Sequence, residues 1–286
     1  MNYYYDNILK AVNYIEGNLT KERLPLSEII NCTGFSKFHF LRIFKAVSGY
    51  TINDYIRRRR MTEAAKLLTD TTMRIMDIAV LYGYNSQEAF TRAFKETFGV
   101  TPNYYRVNKL SHDNLKQLIL SEELLTFKAE DKFIEPEIVE KDSFLLTGLE
   151  YKGENNNYEV PKLWNKFYKE LDSLKVPFNA DICYGLERYS EAGEKSYFTY
   201  LSAVEINKSD SVPSNFKTIK IQKSKYAVFP IKSIIENVPI NISKIYSVYL
   251  PRTGLKIKGN YDFEYYDYRF KANEKESCFH FYVPIE

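Results

Sequence analysis

Hydrophobic positions in the front third of the chain recur with helical spacing, and the whole pattern occurs twice. The first copy spans residues 26–51 and the second residues 76–101, with glycine, aromatic, arginine and lysine residues in matching places. Each copy indicates a short apolar helix, a turn at Gly34 or Gly83, and a second helix. Glycine at such a turn is expected to supply the positive φ that a steep junction between helices requires. The repeat therefore predicts one supersecondary unit that is used twice.

The second helix of each copy divides into two stripes. The apolar stripes, which we expect to be buried, are Phe40, Ile43, Phe44 and Val47, then Phe90, Ala93, Phe94 and Thr97. The opposite stripes should face solvent or a partner, and Ser36, then Asn85 or Ser86, are expected at the N-cap positions. In the first copy the stripe and N-cap residues are Ser36, Lys37, Phe38, Leu41, Arg42 and Lys45, and in the second Ser86, Gln87, Glu88, Thr91, Arg92 and Lys95.

These partner-facing side chains are of the types that recognise duplex DNA. Arginine pairs with guanine, glutamine pairs with adenine, and threonine or an apolar group contacts the thymine methyl, while lysine and arginine also hold phosphates. Phe38 and Leu41 are informative, because large apolar groups on an exposed face need a partner. The alternative is a solvated helix face with two isolated hydrophobic residues. Glu88 can accept a hydrogen bond from cytosine but repels phosphate. The DNA sequence that the second copy recognises is therefore left open.

A longer helix, beginning at the N-cap Thr51 and ending near Leu68, is predicted to link the two copies. Its stiffness should hold the second helices about one DNA turn apart, ~34 Å. Residues 57–60 are four consecutive arginines, and such a run must circle the helix. The run is therefore a solvated stripe, or one or two of its members contact phosphates.

Charge is unevenly distributed along the chain. Residues 1–110 carry 16 Lys and Arg against 10 Asp and Glu, whereas the whole chain carries 40 against 37, with a net charge of +3. The remainder is therefore slightly acidic. A basic front part with an acidic back part indicates a nucleic-acid partner for the front part alone.

Residues 5–108 resemble the DNA-binding domain of the AraC/XylS family of bacterial regulators. The segments that carry the resemblance are 34–45, 55–65, 78–84 and 90–102. Within the family the chain is most similar to the group of MarA, SoxS and Rob. The resemblance implies an activator that binds promoter or operator DNA as a monomer, with RNA polymerase as a further candidate partner. Carried over by position, it implies these readers of bases: Phe38, Leu41, Arg42, Gln87, Glu88, Thr91 and Arg92.

From about Phe133 the pattern changes to alternating β-branched and aromatic residues, which is typical of strands. A weaker repeat at an offset near 82 relates the segment of Phe144 to that of Tyr226 and the helix of Trp164 to that of Tyr246. Each half is predicted as strand, helix, strand, strand. The predicted elements are 136–151, 159–174, 181–189 and 196–206, then 216–231, 240–250, 260–270 and 277–285.

The predicted fold class is an all-α domain with two helix-turn-helix motifs followed by an α+β domain of two repeats. Helices on one face of an antiparallel sheet should leave a cleft where the two halves meet. We expect the helical domain over residues 1–110, a linker over 111–131 and the α+β domain over 132–286.

Glu264 is the candidate centre of a ligand pocket in this second domain. On a strand it shares a face with Asp262, Tyr266 and Tyr268. A desolvated carboxylate among aromatic rings is costly unless a cation or a hydrogen bond meets it, and tyrosine faces attract the same cation. The alternative is a surface acid on a half-exposed sheet. Further candidates for the pocket lining, each of which could equally belong to the core, are Trp164, Tyr184 and Tyr200.

The second half resembles the GyrI-like effector-binding domain. The segments that carry the resemblance are 162–164, 225–229, 262–267 and 281–286. It implies an aromatic pocket with a central acid that binds lipophilic, often cationic, small molecules. Two alternatives stay open. The chain could sequester such a molecule, or it could be a GyrI-like hydrolase tethered to DNA, in which Glu264 and Tyr266 or Tyr268 act as base and acid.

Other chemistry is not indicated. The three cysteines, Cys32, Cys183 and Cys278, lack the spacing of a redox or metal motif, which is typical of a reducing cytoplasm. The three histidines have no ligand spacing, and no nucleophile-base-acid set or phosphate loop occurs. No signal peptide opens the chain and no apolar run approaches the ~20 residues that span a bilayer. The sequence predicts a cytoplasmic regulator without enzymatic activity, metal, cofactor or membrane partner.

Overall fold

The computed structural model describes residues 3–110, 133–153, 159–173, 181–189, 198–208, 210–271, 274 and 276–286. Contacts between Cα atoms divide the chain into two compact units. One is helical and the other is an antiparallel sheet with helices, so the predicted fold class is confirmed. The predicted linker over 111–131 lies outside the described residues, and the domain boundaries stay a prediction.

The described part of the first unit contains seven helices. They are α1 Tyr3–Glu16, α2 Leu26–Asn31, α3 Lys37–Ser48, α4 Ile52–Asp70, α5 Ile75–Leu81, α6 Gln87–Phe98 and α7 Pro102–Val107. The pairs α2–α3 and α5–α6 are the two predicted helix-turn-helix copies, and α4 connects them. The side chains of Thr51, Ser86 and Thr101 each accept a hydrogen bond from a backbone N–H three residues later. These caps satisfy donors that the first helical turn leaves without partners.

The two glycines matched by the repeat serve different physical purposes. Gly83 has φ +82°, as predicted for a steep junction between helices. Gly34 has no positive φ, so the prediction for this turn is wrong. A Cβ at Gly34 would lie 2.5 Å from the hydroxyl oxygen of Tyr3, which donates to the Gly34 carbonyl at 3.2 Å. The close approach of α1, and not backbone freedom, explains the first glycine.

The core of the first unit follows the predicted apolar stripes, except that Ala93 and Thr97 are half-buried. Phe40, Phe44, Phe90 and Phe94 are fully buried at 0% exposure. The rings of Phe44 and Phe94 meet Tyr55 and Tyr105 edge to face, with centroids 5.3 and 5.4 Å apart. Each second helix is therefore fixed by aromatic residues to the helix that follows it.

Arg59 and Arg60 brace this helical unit from inside. The Arg59 guanidinium is buried at 1% exposure, and its Nε and Nη2 donate to the two carboxylate oxygens of Glu16 at 2.8 and 2.7 Å. Nη2 also donates to Glu63 at 2.8 Å. Arg60 donates to the backbone carbonyls of Leu19 and Lys21. The interpretation of a solvated stripe is therefore wrong for these two arginines, because their guanidinium groups hold neighbouring segments together.

The second unit contains an eight-stranded antiparallel sheet in the order β1-β6-β8-β7-β3-β4-β2-β5. The strands are β1 Glu137–Lys141, β2 Phe144–Gly153, β3 Cys183–Tyr189, β4 Phe198–Ile206, β5 Lys217–Ile221, β6 Ser224–Lys232, β7 Tyr261–Tyr266 and β8 Cys278–Ile285. The segments 136–151 and 216–231 were each predicted as one strand, but each forms two strands, β1 and β2 in the first and β5 and β6 in the second. The short polar breaks at 142–143 and 222–223 reverse the chain, and β1 and β5 pair with the other half of the sheet.

Helices flank the sheet in both halves. They are α8 Glu159–Ser173 in the first half, then a 3-10 turn Ile235–Asn237, α9 Val238–Lys244, a π-helical turn Ile245–Tyr249 and α10 Leu250–Thr253 in the second. Along β7 the side chains alternate, so Asp262 and Glu264 lie on one face, which we name the carboxylate face. Phe263 and Tyr265 lie on the other, which we name the aromatic face. Phe263 is part of a buried apolar cluster there with Tyr184 and other residues.

Candidate nucleic-acid interface and ligand pocket

Helix α6 exposes the polar stripe predicted for the second copy. Gln87, Glu88, Arg92 and Lys95 are exposed, and Thr91 is half-buried. Phe90 and Phe94 anchor the opposite side of the helix in the core. The arrangement of the two stripes is as predicted, and contact of these side chains with DNA stays a prediction.

The N-terminus of α6 explains the acid at position 88. Ser86 is half-buried, and its Oγ accepts a hydrogen bond from the Ala89 N–H at 3.1 Å. Hydrogen bonds from the backbone N–H of Glu88 and then from Ser86 lower the pKa of the Glu88 carboxyl. An anion in the first turn also meets the positive end of the helix dipole. Glu88 can therefore remain charged in this position without a basic partner.

Helix α3 offers a different surface from α6. Ser36 and Lys45 are exposed, and Lys37, Leu41 and Arg42 are half-buried. Phe38 is only 2% exposed, so its ring is covered and not exposed as predicted, and its contact with DNA stays a prediction. Its ring meets the His39 ring edge to face with centroids 5.0 Å apart. Burial removes a large apolar surface from water, which favours a covered position for this ring.

Three of the predicted pocket residues form one chain of hydrogen bonds on the carboxylate face. The Trp164 indole Nε1 donates to the Tyr200 hydroxyl oxygen at 3.0 Å, and the Tyr200 hydroxyl donates to Glu264 Oε2. Tyr200 and Glu264 are 2% and 3% exposed, whereas Trp164 is half-buried. The acid is therefore held deep in the unit, and the indole connects it to the surface.

Gly185 makes room for this contact. It lies directly across the strand pair from Glu264. A Cβ there would lie 2.1 Å from both Glu264 Oε2 and the Tyr200 hydroxyl oxygen. Sequence reasoning missed Gly185, although a glycine inside a strand pattern is a signal for a close approach.

Tyr266 completes the aromatic surroundings of the acid. Its ring meets Trp164 edge to face with centroids 5.6 Å apart. Burial, followed by the charge of Glu264, raises the pKa of both Tyr200 and Tyr266 well above the ordinary value for tyrosine. Both phenols therefore keep their protons at neutral pH and act as donors.

Two further buried acids share the carboxylate face. Asp262 is 0% exposed and Glu187 is 7% exposed, and they are direct partners across β7 and β3. The hydroxyl of Tyr246, in the π-helical turn, donates to Asp262. Sequence reasoning did not name Glu187 or Tyr246 as site residues. The signal for Tyr246 was its match to Trp164 in the internal repeat.

Two predicted pocket residues lie elsewhere. Tyr184 is the strand partner of Tyr265, which places it on the aromatic face, where its hydroxyl donates to Glu205 at 2.8 Å. Tyr268 is 82% exposed, because β7 ends at Tyr266 and the alternation of the strand ends with it. The predictions that Tyr184 and Tyr268 line the pocket of Glu264 are therefore wrong.

The described residues offer neither a metal site nor a membrane-spanning helix. In those ranges no group of three or more His, Cys, Asp and Glu side chains could hold a metal ion. None of the helices described above is long and apolar enough to cross a membrane. Burial raises the pKa of the Cys183 thiol to about 11, which leaves it protonated at neutral pH.

Both units match known protein families. A family model described as a helix-turn-helix domain matches residues 29–108, and one described as an integron-associated effector binding protein matches residues 137–285, just over half of the chain. The transcriptional activator AarP of Providencia stuartii is 41% identical over 108 residues, which cover 38% of this chain and 79% of that protein. The chain belongs to the AraC family of transcriptional regulators. This AraC family member binds DNA through its helix-turn-helix unit and carries a C-terminal effector-binding domain.

The similarity of the AraC family regulator to other proteins extends over both units. The right origin-binding protein of Escherichia coli K12 is 27% identical over 260 residues, covering 88% of this chain and 87% of that protein. The solved structure of SAV2435 bound to tetraphenylphosphonium has a TM-score of 0.45 at 20% identity and covers 54% of this chain and 94% of that one.

Proposed function

We propose that this regulator activates transcription from an asymmetric DNA site and that its second unit senses a lipophilic cation. It binds DNA as a monomer in the cytoplasm, places α3 and α6 in successive major grooves, and acts through RNA polymerase. Activation is supported by the name of its relative AarP, a transcriptional activator. In this proposal the protein has no catalytic activity of its own.

The DNA-binding proposal depends mainly on the exposed stripe of α6. Gln87 and Arg92 project from a helix whose other side is fixed in the core, and Lys95 can hold a phosphate one turn further on. The Thr91 side chain on the same stripe can contact the methyl group of a thymine. Ser86 and Glu88 shape its N-terminal end.

Fewer side chains of α3 are placed to contact DNA. Leu41 and Arg42 are the half-buried residues that could reach base edges, and Ser36, Lys37 and Lys45 lie at the ends of the helix, where they could contact phosphate. Phe38 is covered in this structure and would have to be uncovered before it contacted a base. We therefore assign the stronger sequence discrimination to α6.

Arg92→Ala is expected to cost about 1 to 3 kcal/mol of specific binding and to relax the preference at one base pair. The preferred duplexes are selected from a random pool by the full chain, and affinities are then measured over a range of salt concentrations. Lys95→Ala is the matched control, because loss of a phosphate contact weakens all sequences alike and lowers the salt dependence. Unchanged base preference in the Arg92 variant would refute its assignment as a reader.

The effector proposal depends on the buried pair of Glu264 and Tyr200 beneath the half-buried Trp164. A carboxylate at 3% exposure has lost most of its water, and the phenol hydroxyls beside it supply hydrogen bonds but no positive charge. A cation entering beside Trp164 and Tyr266 would meet the negative charge of Glu264 together with two aromatic faces. Asp262 and Glu187 are two further buried acids on the same face. This is the chemistry of a lipophilic cation site.

Charge selectivity tests this proposal directly. Tetraphenylphosphonium should bind and change the fluorescence of Trp164, the single tryptophan of the chain, whereas tetraphenylborate, which has the same shape and opposite charge, should not. Binding of both ions, or of neither, would refute a site defined by a carboxylate. Measuring DNA affinity with and without bound tetraphenylphosphonium then tests whether the effector acts on DNA binding or on a later step.

The same geometry argues against the hydrolase alternative. The acid and base of a hydrolase work best with pKa values near the working pH. Tyr200 and Tyr266, the phenols beside Glu264, have pKa values raised well above 10, and Tyr268 lies exposed outside the pocket. These phenols are suited to donate hydrogen bonds and poorly suited to transfer protons.

A further inference from the structure

Four aromatic rings on the aromatic face of the sheet surround the ammonium group of Lys141. The Lys141 Nζ lies 5.0 Å from the ring centroid of Phe144, 5.5 Å from Tyr282, 5.7 Å from Tyr265 and 5.9 Å from Tyr184. All four distances fall within the roughly 6 Å over which an aromatic face attracts a cation. We name these four rings the aromatic cage.

The topology of the sheet explains how the cage forms. The rings come from β2, β3, β7 and β8, and Lys141 is the last residue of β1. Only two residues separate β1 from β2, yet five strands lie between them in the strand order. The sheet must therefore curl, and the aromatic face lies inside the curve. Rings that are distant in sequence converge there on one point.

The electrostatics of the cage favour a cation. The Tyr184 hydroxyl donates to Glu205 Oε2 at 2.8 Å, which holds a carboxylate beside the cage. Burial lowers the pKa of Lys141, and the charge of Glu205 raises it in part. Within the described residues the ammonium makes no ion pair within hydrogen-bonding distance, so the rings are its principal contacts. An aromatic cage of this kind is the usual means of recognising alkylated ammonium ions.

We propose that the aromatic cage is a second binding site, specific for small alkylated ammonium ions, and that Lys141 is a tethered occupant which such an ion displaces. The site lies on the opposite face of the sheet from Glu264, and four converging rings enclose one ammonium group. It does not depend on the lipophilic cation site proposed above.

The tether determines the expected affinities. A group attached to the protein competes at a high effective concentration, so the wild-type chain should bind a free ammonium ion weakly. Lys141→Met keeps the length of the side chain and removes its charge. Lys141→Arg keeps a cation that can still stack on the rings. Position 141 is half-buried at the end of an edge strand, so neither change is expected to disturb the core.

Tetramethylammonium binding to the full chain, measured by titration calorimetry, tests the proposal. The affinity of the Lys141→Met variant should exceed that of wild type by about tenfold or more, and Lys141→Arg should match wild type. Adding Glu264→Gln to Lys141→Met should leave the binding intact, and Trp164 fluorescence should not change. Equal affinities in wild type and Lys141→Met, or loss of binding with Glu264→Gln, would overturn the second site.

A measurement on the wild-type chain avoids any effect of Lys141→Met on folding. Lysine side chains are dimethylated with isotope-labelled formaldehyde, and the signal absent from Lys141→Arg is assigned to Lys141. Ring currents from the cage should displace this methyl signal from those of the other lysines, and tetramethylammonium should return it to the ordinary position. An undisplaced signal, or a displaced one that tetramethylammonium does not move at any concentration, would contradict the proposal.

Discussion

Glu264→Gln is expected to weaken tetraphenylphosphonium binding about a hundredfold or more while leaving DNA affinity unchanged. Glutamine has nearly the same shape as glutamate and can still accept the hydrogen bond from Tyr200, so the change removes charge and little else. Loss of the charged partner of a buried cation costs about 2 to 5 kcal/mol, and every 1.4 kcal/mol is about tenfold in affinity. The titration is followed by the fluorescence of Trp164.

Glu205→Gln is the matched control for this experiment. Glu205 also accepts a hydrogen bond from a buried tyrosine, Tyr184, but it lies on the aromatic face. Its substitution should therefore leave tetraphenylphosphonium binding unchanged. Equal affinities for wild type and Glu264→Gln would contradict the assignment of Glu264 as the central acid. Hydrolysis of a reactive ester that disappears in Glu264→Gln would instead favour the enzyme alternative.

Arg59→Met should destabilise the helical unit by about 3 kcal/mol. Burial alone would lower the pKa of Arg59, but the hydrogen bonds and charge of Glu16 and then of Glu63 raise it above its ordinary value. Removing the guanidinium leaves the Glu16 carboxylate without the two donors that it has at 2.8 and 2.7 Å. Urea denaturation followed by far-ultraviolet circular dichroism, which reports mainly on helices, measures the change.

Arg57→Met separates this effect from the general loss of an arginine in α4. The Arg57 side chain is 48% exposed, and its ion pair with Glu96 is 3.4 Å long at the surface. Exposed pairs of this kind contribute little, so the variant should unfold within about 0.5 kcal/mol of wild type. Similar shifts for the two variants would show that Arg59 acts through general charge and not through its buried contacts.

Helical periodicity predicted most of the first unit because each helix buries a stripe of its own sequence. Phe40, Phe44, Phe90 and Phe94 are in the core as expected. Phe38 is covered although the pattern predicted an exposed ring, because periodicity identifies the sides of a helix but not the neighbours that cover them. Gly34 shows a second limit. A glycine in a repeated position indicates a constraint, but sequence alone does not distinguish a positive φ from the close approach of Tyr3.

Strand alternation predicted the carboxylate face only within the strand. Asp262, Glu264 and Tyr266 are on β7, and the expected contact of Glu264 with aromatic residues is present. The prediction that Tyr268 lines the pocket was wrong because the alternation of side chains ends where the strand ends. The prediction for Tyr184 was wrong because the sheet face on which it lies depends on its pairing with Tyr265. One sequence does not reveal the register between distant strands.

The two halves of the second unit are unlike at their centre. Trp164 reaches its acid only through the Tyr200 hydroxyl, whereas its counterpart Tyr246 donates to Asp262 directly. In the duplicated architecture, one helix is thus connected to its carboxylate through a second side chain and the other by a direct hydrogen bond. An effector with two different ends would therefore meet different chemistry at the two acids, and the domain would distinguish its two orientations.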